Sequence, residues 1–114
     1  MPARIRSLLL LLSASVLLAA AGCSTLRFGA PFDLEHFKSA VRKDVTTQAE
    51  VESWLGPPAG VGHAVDSTGR RFVEWTYYYG GGTLPRLQDA SLKVLQIKFD
   101  QQGVVRAYSW SENR

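Results

Sequence analysis

The side chains with chemistry to offer are few: one thiol at Cys23, two imidazoles at His36 and His63, and scattered serine and threonine hydroxyls. A single thiol forms no internal disulfide, so even in an oxidising compartment packing alone has to stabilise the fold. His36 and His63 show no HExxH spacing and no cysteine partner, whereas zinc sites draw on three or four such ligands; both read as surface or packing residues, with no metal expected. Gly60-Val61-Gly62 starts like a dinucleotide loop, but position 65 is valine and the stretch follows a helix stop instead of a strand. Gly80-Gly81-Gly82-Thr83 lacks the Gly-Lys-Ser/Thr ending of a phosphate loop, and no serine lies in a nucleophile elbow. The expectation is a non-catalytic chain without a cofactor, in which Cys23 is the one group placed for covalent chemistry.

The surroundings of Cys23 say which chemistry. Arg4 and Arg6 precede an apolar run from Leu8 to Ala21, interrupted only by Ser13 and Ser15, and small residues lead up to Gly22 and the thiol. A charged start, an apolar middle and a small-residue end make a secretory signal peptide. The run is shorter than the roughly 20 residues that span a hydrocarbon core. Ala20-Ala21-Gly22-Cys23 resembles the lipobox of bacterial lipoproteins, which implies a diacylglyceryl thioether on Cys23 and cleavage before it. Ordinary cleavage after Ala19-x-Ala21 and an uncleaved anchor are the alternatives. Ser24 after the cysteine resembles the outer-membrane sorting pattern of Gram-negative lipoproteins.

Residues 1–22 are therefore assigned to the signal, 23–32 to a lipidated tether and 33–114 to one α+β domain. The 92 residues left by removing 22 from 114 suffice for one domain and not two. Of 13 Lys and Arg, Arg4 and Arg6 lie in the signal, leaving 11 basic against 10 acidic residues. That balance argues against nucleic acid, which needs clustered positive charge.

Ser24 to Pro31 has no period, hence the tether reading, although Phe28 and Phe32 are hydrophobic for one and either dock on the domain or meet a partner. Asp33 caps a helix expected over Leu34 to Lys43, with Leu34, Phe37, Ala40 and Val41 on one face. Thr47-Gln48-Ala49-Glu50 is a capping box for a second helix whose stripe is Val51, Trp54 and Leu55 and whose stop is Gly56-Pro57-Pro58. Alternation then takes over. A weak edge strand at Gly60–Val65 turns at Asp66-Ser67-Thr68-Gly69 into a strong strand from Arg71 to Tyr79. Gly80 to Ser91 reads as a mobile loop, followed by strands over Leu92–Phe99 and Val104–Trp110 joined by Asp100-Gln101-Gln102-Gly103. The fold class is a two-layer α+β sandwich, an αα-hairpin on a three- to four-stranded antiparallel meander.

Three segments in this order have counterparts elsewhere: the Thr47-capped helix ending in Leu55-Gly56-Pro57-Pro58, the strand Glu74-Trp75-Thr76-Tyr77-Tyr78, and Leu95 to Phe99 continuing as Asp100-Gln101-Gln102-Gly103-Val104-Val105. With the lipobox they resemble the SmpA/OmlA, or BamE-like, small outer-membrane lipoproteins over roughly Asp44 to Trp110. The resemblance implies a periplasm-facing, non-enzymatic module that assists envelope proteins, the best-known member serving outer-membrane barrel assembly. An inhibitor-like or ligand-sensing module is the alternative.

A binding module needs side chains outside its core. Tyr77, Tyr78 and Tyr79 cannot all face inward, because strand neighbours alternate. Trp75, Tyr77 and Tyr79 are expected under the helices, leaving Tyr78 and Phe72 as an exposed pair. With Phe28 and Phe32, these are the candidate partner contacts.

Overall fold

The structure is a computed structural model that describes residues 24–113; the expected signal peptide, residues 1–22, and Cys23 lie outside the described residues. Its elements run β1 (Thr25–Gly29), α1 (Leu34–Ala40), α2 (Gln48–Leu55), β2 (Gly60–Val65), β3 (Arg71–Thr83), β4 (Ser91–Phe99) and β5 (Val105–Asn113). All strand pairs are antiparallel, in the order β1-β3-β4-β5, with β2 also on β3. β2 pairs with Arg71–Thr76 and β1 with Tyr79–Thr83, so the two short strands follow one another along the same edge of β3. The two helices cover one face, giving the expected α+β sandwich, but with five strands in place of three or four, because β1 joins the edge of β3.

The core follows from pattern. Leu34 and Phe37 of α1, Val51 and Leu55 of α2, and Tyr77, Leu95, Ile97, Phe99 and Val105 of the sheet form one buried cluster. The sheet members lie on the same face by period-two alternation, since Tyr77 pairs with Leu95 and Phe99 with both Val73 and Val105. Phe37 meets Tyr108 edge-on at 5.4 Å, and Trp75 meets Phe99 at 4.8 Å. The Tyr77 hydroxyl, inside this layer, donates to the Gly56 carbonyl at 2.9 Å. Burial, with a smaller contribution from Glu52, pushes its pKa up to about 12, so it remains a neutral donor.

The helix starts obey their local signals. Asp33 accepts from the His36 amide at 3.0 Å. Thr47 accepts from the Glu50 amide at 3.2 Å, while the Thr47 amide donates to Glu50 Oε1. Gly56 ends α2 at φ 80°. The end of α1 differs from expectation: it stops at Ala40 and not near Lys43. The chain beyond it is claimed by β5, because the Asp44 amide donates to the Val105 carbonyl and the Val105 amide to the Thr46 carbonyl, each at 2.8 Å. Buried Thr46 accepts from the Arg42 amide at 2.8 Å, and Asp44 adopts φ 67°. Arg106 secures this junction. It lies where the β4–β5 register shifts, and it donates to Asp44 at 2.8 Å and to Asp100 at 2.7 Å.

Three other boundaries move. β5 runs three residues past Trp110, pairing as far as Asn113 with Leu92. Part of the expected tether is strand β1, and the glycine tract expected to be loop is the last third of β3. The last two are one event, because β1 pairs with the glycine tract: Phe28 with Gly80, Arg27 with Gly81 and Leu26 with Gly82.

Asp100 accepts from the amides of Val104 and Gln102 and from Arg106, and the Val104 amide first, then Arg106 and Gln102, hold its carboxyl below the usual carboxylate range. A carboxyl that titrates lower in the folded than in the unfolded chain stabilises fully above about pH 4, and the contribution fades as pH falls through the folded value. Asp100→Asn is expected to lower the denaturation midpoint at pH 7 and to narrow its gap from wild type at pH 3, measured by urea unfolding at both.

Candidate functional site

The face of the sheet away from the helices divides into two halves. Towards its middle it is polar, with Glu74 opposite Lys98, Thr76 opposite Gln96, and Ser109 beyond. Towards the end where the chain enters β1 it is apolar. Leu26 (43% exposed), Phe28 (44%), Tyr78 (39%), Leu87 (38%) and Leu92 (37%) gather there, with half-buried Val94 beside Tyr78. Pairing explains the grouping: Leu26 lies opposite Gly82, Phe28 opposite Gly80, Gly80 opposite Leu92, and Tyr78 opposite Val94. Singly exposed apolar residues are ordinary, whereas a contiguous patch marks a contact surface.

Missing side chains hold this patch together. A Cβ on Gly80 would stand 2.8 Å from Phe28 Cζ and 2.7 Å from the Ser91 carbonyl, so the Phe28 ring lies across bare backbone. A Cβ on Gly81 would collide with the Leu26 carbonyl, and one on Gly82 would press on Leu87 and Ala90. Gly29, at φ 75°, has the Tyr78 carbonyl where its own Cβ would be. The connection from Leu84 to Ala90 folds onto the same end: Asp89 accepts from the Thr83 amide at 2.8 Å and the Thr83 hydroxyl at 2.7 Å, and the Leu87 amide reaches the Thr83 carbonyl at 2.8 Å. The Thr83 amide first, then its hydroxyl, hold the Asp89 carboxyl below its ordinary range.

Of the candidate contacts, Phe28 and Tyr78 are brought together here. Phe32 is not: it is partly buried against the core, its ring 5.7 Å from Tyr77 on the helix face. Phe72 shares the open face, but it is half-buried and lies six residues back along β3, roughly 20 Å from Tyr78. Tyr77 is buried as expected, while Trp75 and Tyr79 are only half-buried. Leu26, Leu87 and Leu92 join the surface without being among the sequence candidates. Leu26 and Phe28 alternate as strand residues do, and that was the signal available for β1.

The remaining chemistry-bearing groups stay apart. His36 sits edge-on to Trp54 at 5.4 Å, and His63 is exposed on β2. Among the described residues no three His, Cys, Asp or Glu converge on a metal-sized point. A groove of about 480 Å³ between the β2–β3 and β4–β5 turns is lined by Arg70, Arg71, Phe72 and Arg106, and Arg106 is already committed to Asp44 and Asp100. On the helix side, Trp110 stacks on Tyr108 at 6.0 Å beneath Lys38. No protein-family model, no curated protein and no solved structure matches the chain.

Gly80→Val should cost roughly 1–3 kcal/mol in urea unfolding, the scale of overpacking a filled site, because Phe28 and the Ser91 carbonyl occupy the space. Gly60→Val, whose Cβ would meet nothing, is the control and should stay within about 0.5 kcal/mol of wild type.

Proposed function

We propose that the protein is an outer-membrane lipoprotein, anchored through Cys23, whose small domain acts as a non-catalytic binding module for envelope proteins. The observation that carries this reading is the apolar half of the open sheet face, which starts three residues after the lipobox cysteine and is organised around Phe28 and Tyr78. Its aromatics combine a large apolar body, and in Tyr78 a polar tip, the composition favoured at interface centres. The lipobox and the order of the Thr47-capped helix, the Trp75 strand and the Phe99-Asp100 turn support the same reading through their likeness to SmpA/OmlA lipoproteins. Tethering is the mechanism: a domain confined to the membrane surface meets partners there at a raised effective concentration, and a modest contact face then suffices. Outer-membrane barrel assembly and envelope maintenance are the processes the likeness favours.

Two measurements test it. The mature protein should carry an acyl-sized mass increment that vanishes in Cys23→Ser. Affinity capture from detergent-solubilised membranes should recover outer-membrane assembly proteins, and Tyr78→Ala should weaken that capture about 30-fold, the effect of losing an interface aromatic worth about 2 kcal/mol. Recovery of a soluble hydrolase in their place would favour an inhibitor-like module, and an unmodified thiol would remove the anchor.

A further inference from the structure

The distance between the anchor and the sheet fixes how the domain meets the membrane, an inference that rests on acylation of Cys23. Only Ser24 separates Cys23 from β1, and successive Cα atoms are 3.8 Å apart, so the acylated residue lies within about 8 Å of Thr25. Ser24 is itself tied down, its carbonyl accepting from the Leu84 amide at 2.7 Å. A lipid at Cys23 is therefore attached to the end of the sheet and not to the far end of a ten-residue tether.

That end is built for an apolar neighbour. Leu26 and Leu87 are both exposed there, Leu26 pairing with Gly82 and Leu87 lying over it, and exposed Pro85 follows half-buried Leu84 in the same connection. Leu87 projects from a backbone at φ 53°, a conformation uncommon outside glycine, and the Thr83–Asp89 bonds hold the connection in that shape. Arg27 and Arg86 are exposed at the same end, while its carboxylate, Asp89, is taken up by Thr83. Exposed leucines with guanidinium groups at the same end of the sheet match a surface of acyl chains under anionic headgroups.

We propose that this end of the domain is seated in the membrane interface. Leu26, Leu84, Pro85 and Leu87 enter the acyl boundary, and Arg27 and Arg86 lie among the phosphates. The strands then stand upright on the bilayer. β3, with 13 residues, carries the β2–β3 turn roughly 40 Å away from the surface. Phe28 and Tyr78 face sideways just above the headgroups, within reach of a membrane-embedded partner.

The test uses the full-length acylated protein in vesicles of phosphatidylethanolamine and phosphatidylglycerol at 3:1, some of the lipids carrying a quencher near the headgroup end of their chains. Acylation occupies the Cys23 thiol, so a fluorophore can be placed at Gln88→Cys beside the proposed seat or at Ser67→Cys in the distal turn. The seat predicts that the label at 88 loses more than half its emission and the label at 67 less than a tenth. Adding Leu26→Asp and Leu87→Asp should cut quenching at 88 at least threefold while the acyl mass increment is retained. Equal quenching at both positions, none at 88, or quenching indifferent to the two aspartates would overturn the seat in protein shown by mass to be acylated. Lack of the acyl increment would instead overturn the anchor reading, and the seat with it.

Discussion

The close approach of β1 to the bare backbone of Gly80, Gly81 and Gly82 is the constraint on which the arrangement of this molecule turns. Three residues without side chains let a short strand lie against β3 with the Phe28 ring across Gly80 and Leu87 over Gly82. Glycine weakens a strand interior by roughly 0.5–1 kcal/mol relative to alanine, so three in succession would leave this part of β3 poorly held by its own preferences. Pairing on both edges offsets that cost, since β4 binds one side of Gly80 and Gly81 while β1 binds the other. The glycine tract and β1 depend on each other. Without the glycines β1 has no slot, and without β1 an edge of backbone donors and acceptors stays open.

At the other end of the sheet charge does the comparable work. Arg106 bridges the connection between the helices, through Asp44, to the β4–β5 turn, through Asp100. The pair to Asp100 is the better shielded, that carboxylate being 13% exposed against 52% for Asp44. Together with the Asp44–Val105 and Val105–Thr46 backbone bonds, it ties the connection between the helices to the end of β5. The helix layer buries Leu34, Phe37, Val51 and Leu55 against the sheet, at about 1.5–3 kcal/mol for each fully buried large aliphatic or phenyl side chain. It covers a single side, so among the described residues no second layer lies over the apolar residues of the opposite face.

The parts of the fold governed by local signals were legible in the sequence. The Thr47–Glu50 capping box, the Gly56 stop, the Asp66–Gly69 and Asp100–Gly103 turns and the alternation through Trp75, Tyr77 and Leu95 to Phe99 each specify their element within a few residues. What was hidden depends on partners distant in sequence. Ending α1 at Ala40 requires Val105, more than sixty residues on, and turning Thr25–Gly29 into a strand requires a stretch whose glycines read as loop. The candidate surface was half legible for the same reason: alternation exposes Tyr78 and, on β4, Leu92, but Leu26 and Leu87 join them only once β1 and the Leu84–Ala90 connection are laid down.

Phe28 and Phe32 show how far four residues can separate two similar side chains. Both belong to the segment that carries the chain from Cys23 to the first helix, and each could have packed or projected. Strand pairing sends Phe28 to the open face over Gly80. At the positive φ of Gly29 the chain turns away from the strand, and Phe32 enters the helix layer beside Tyr77. One segment thus contributes to both faces, closing the core on one side and furnishing the apolar surface on the other. A change at Gly29 would disturb both at once, because the Tyr78 carbonyl occupies the position a Cβ would need. The packing of the domain and the shape of its exposed face thus meet in a single short stretch that follows Cys23.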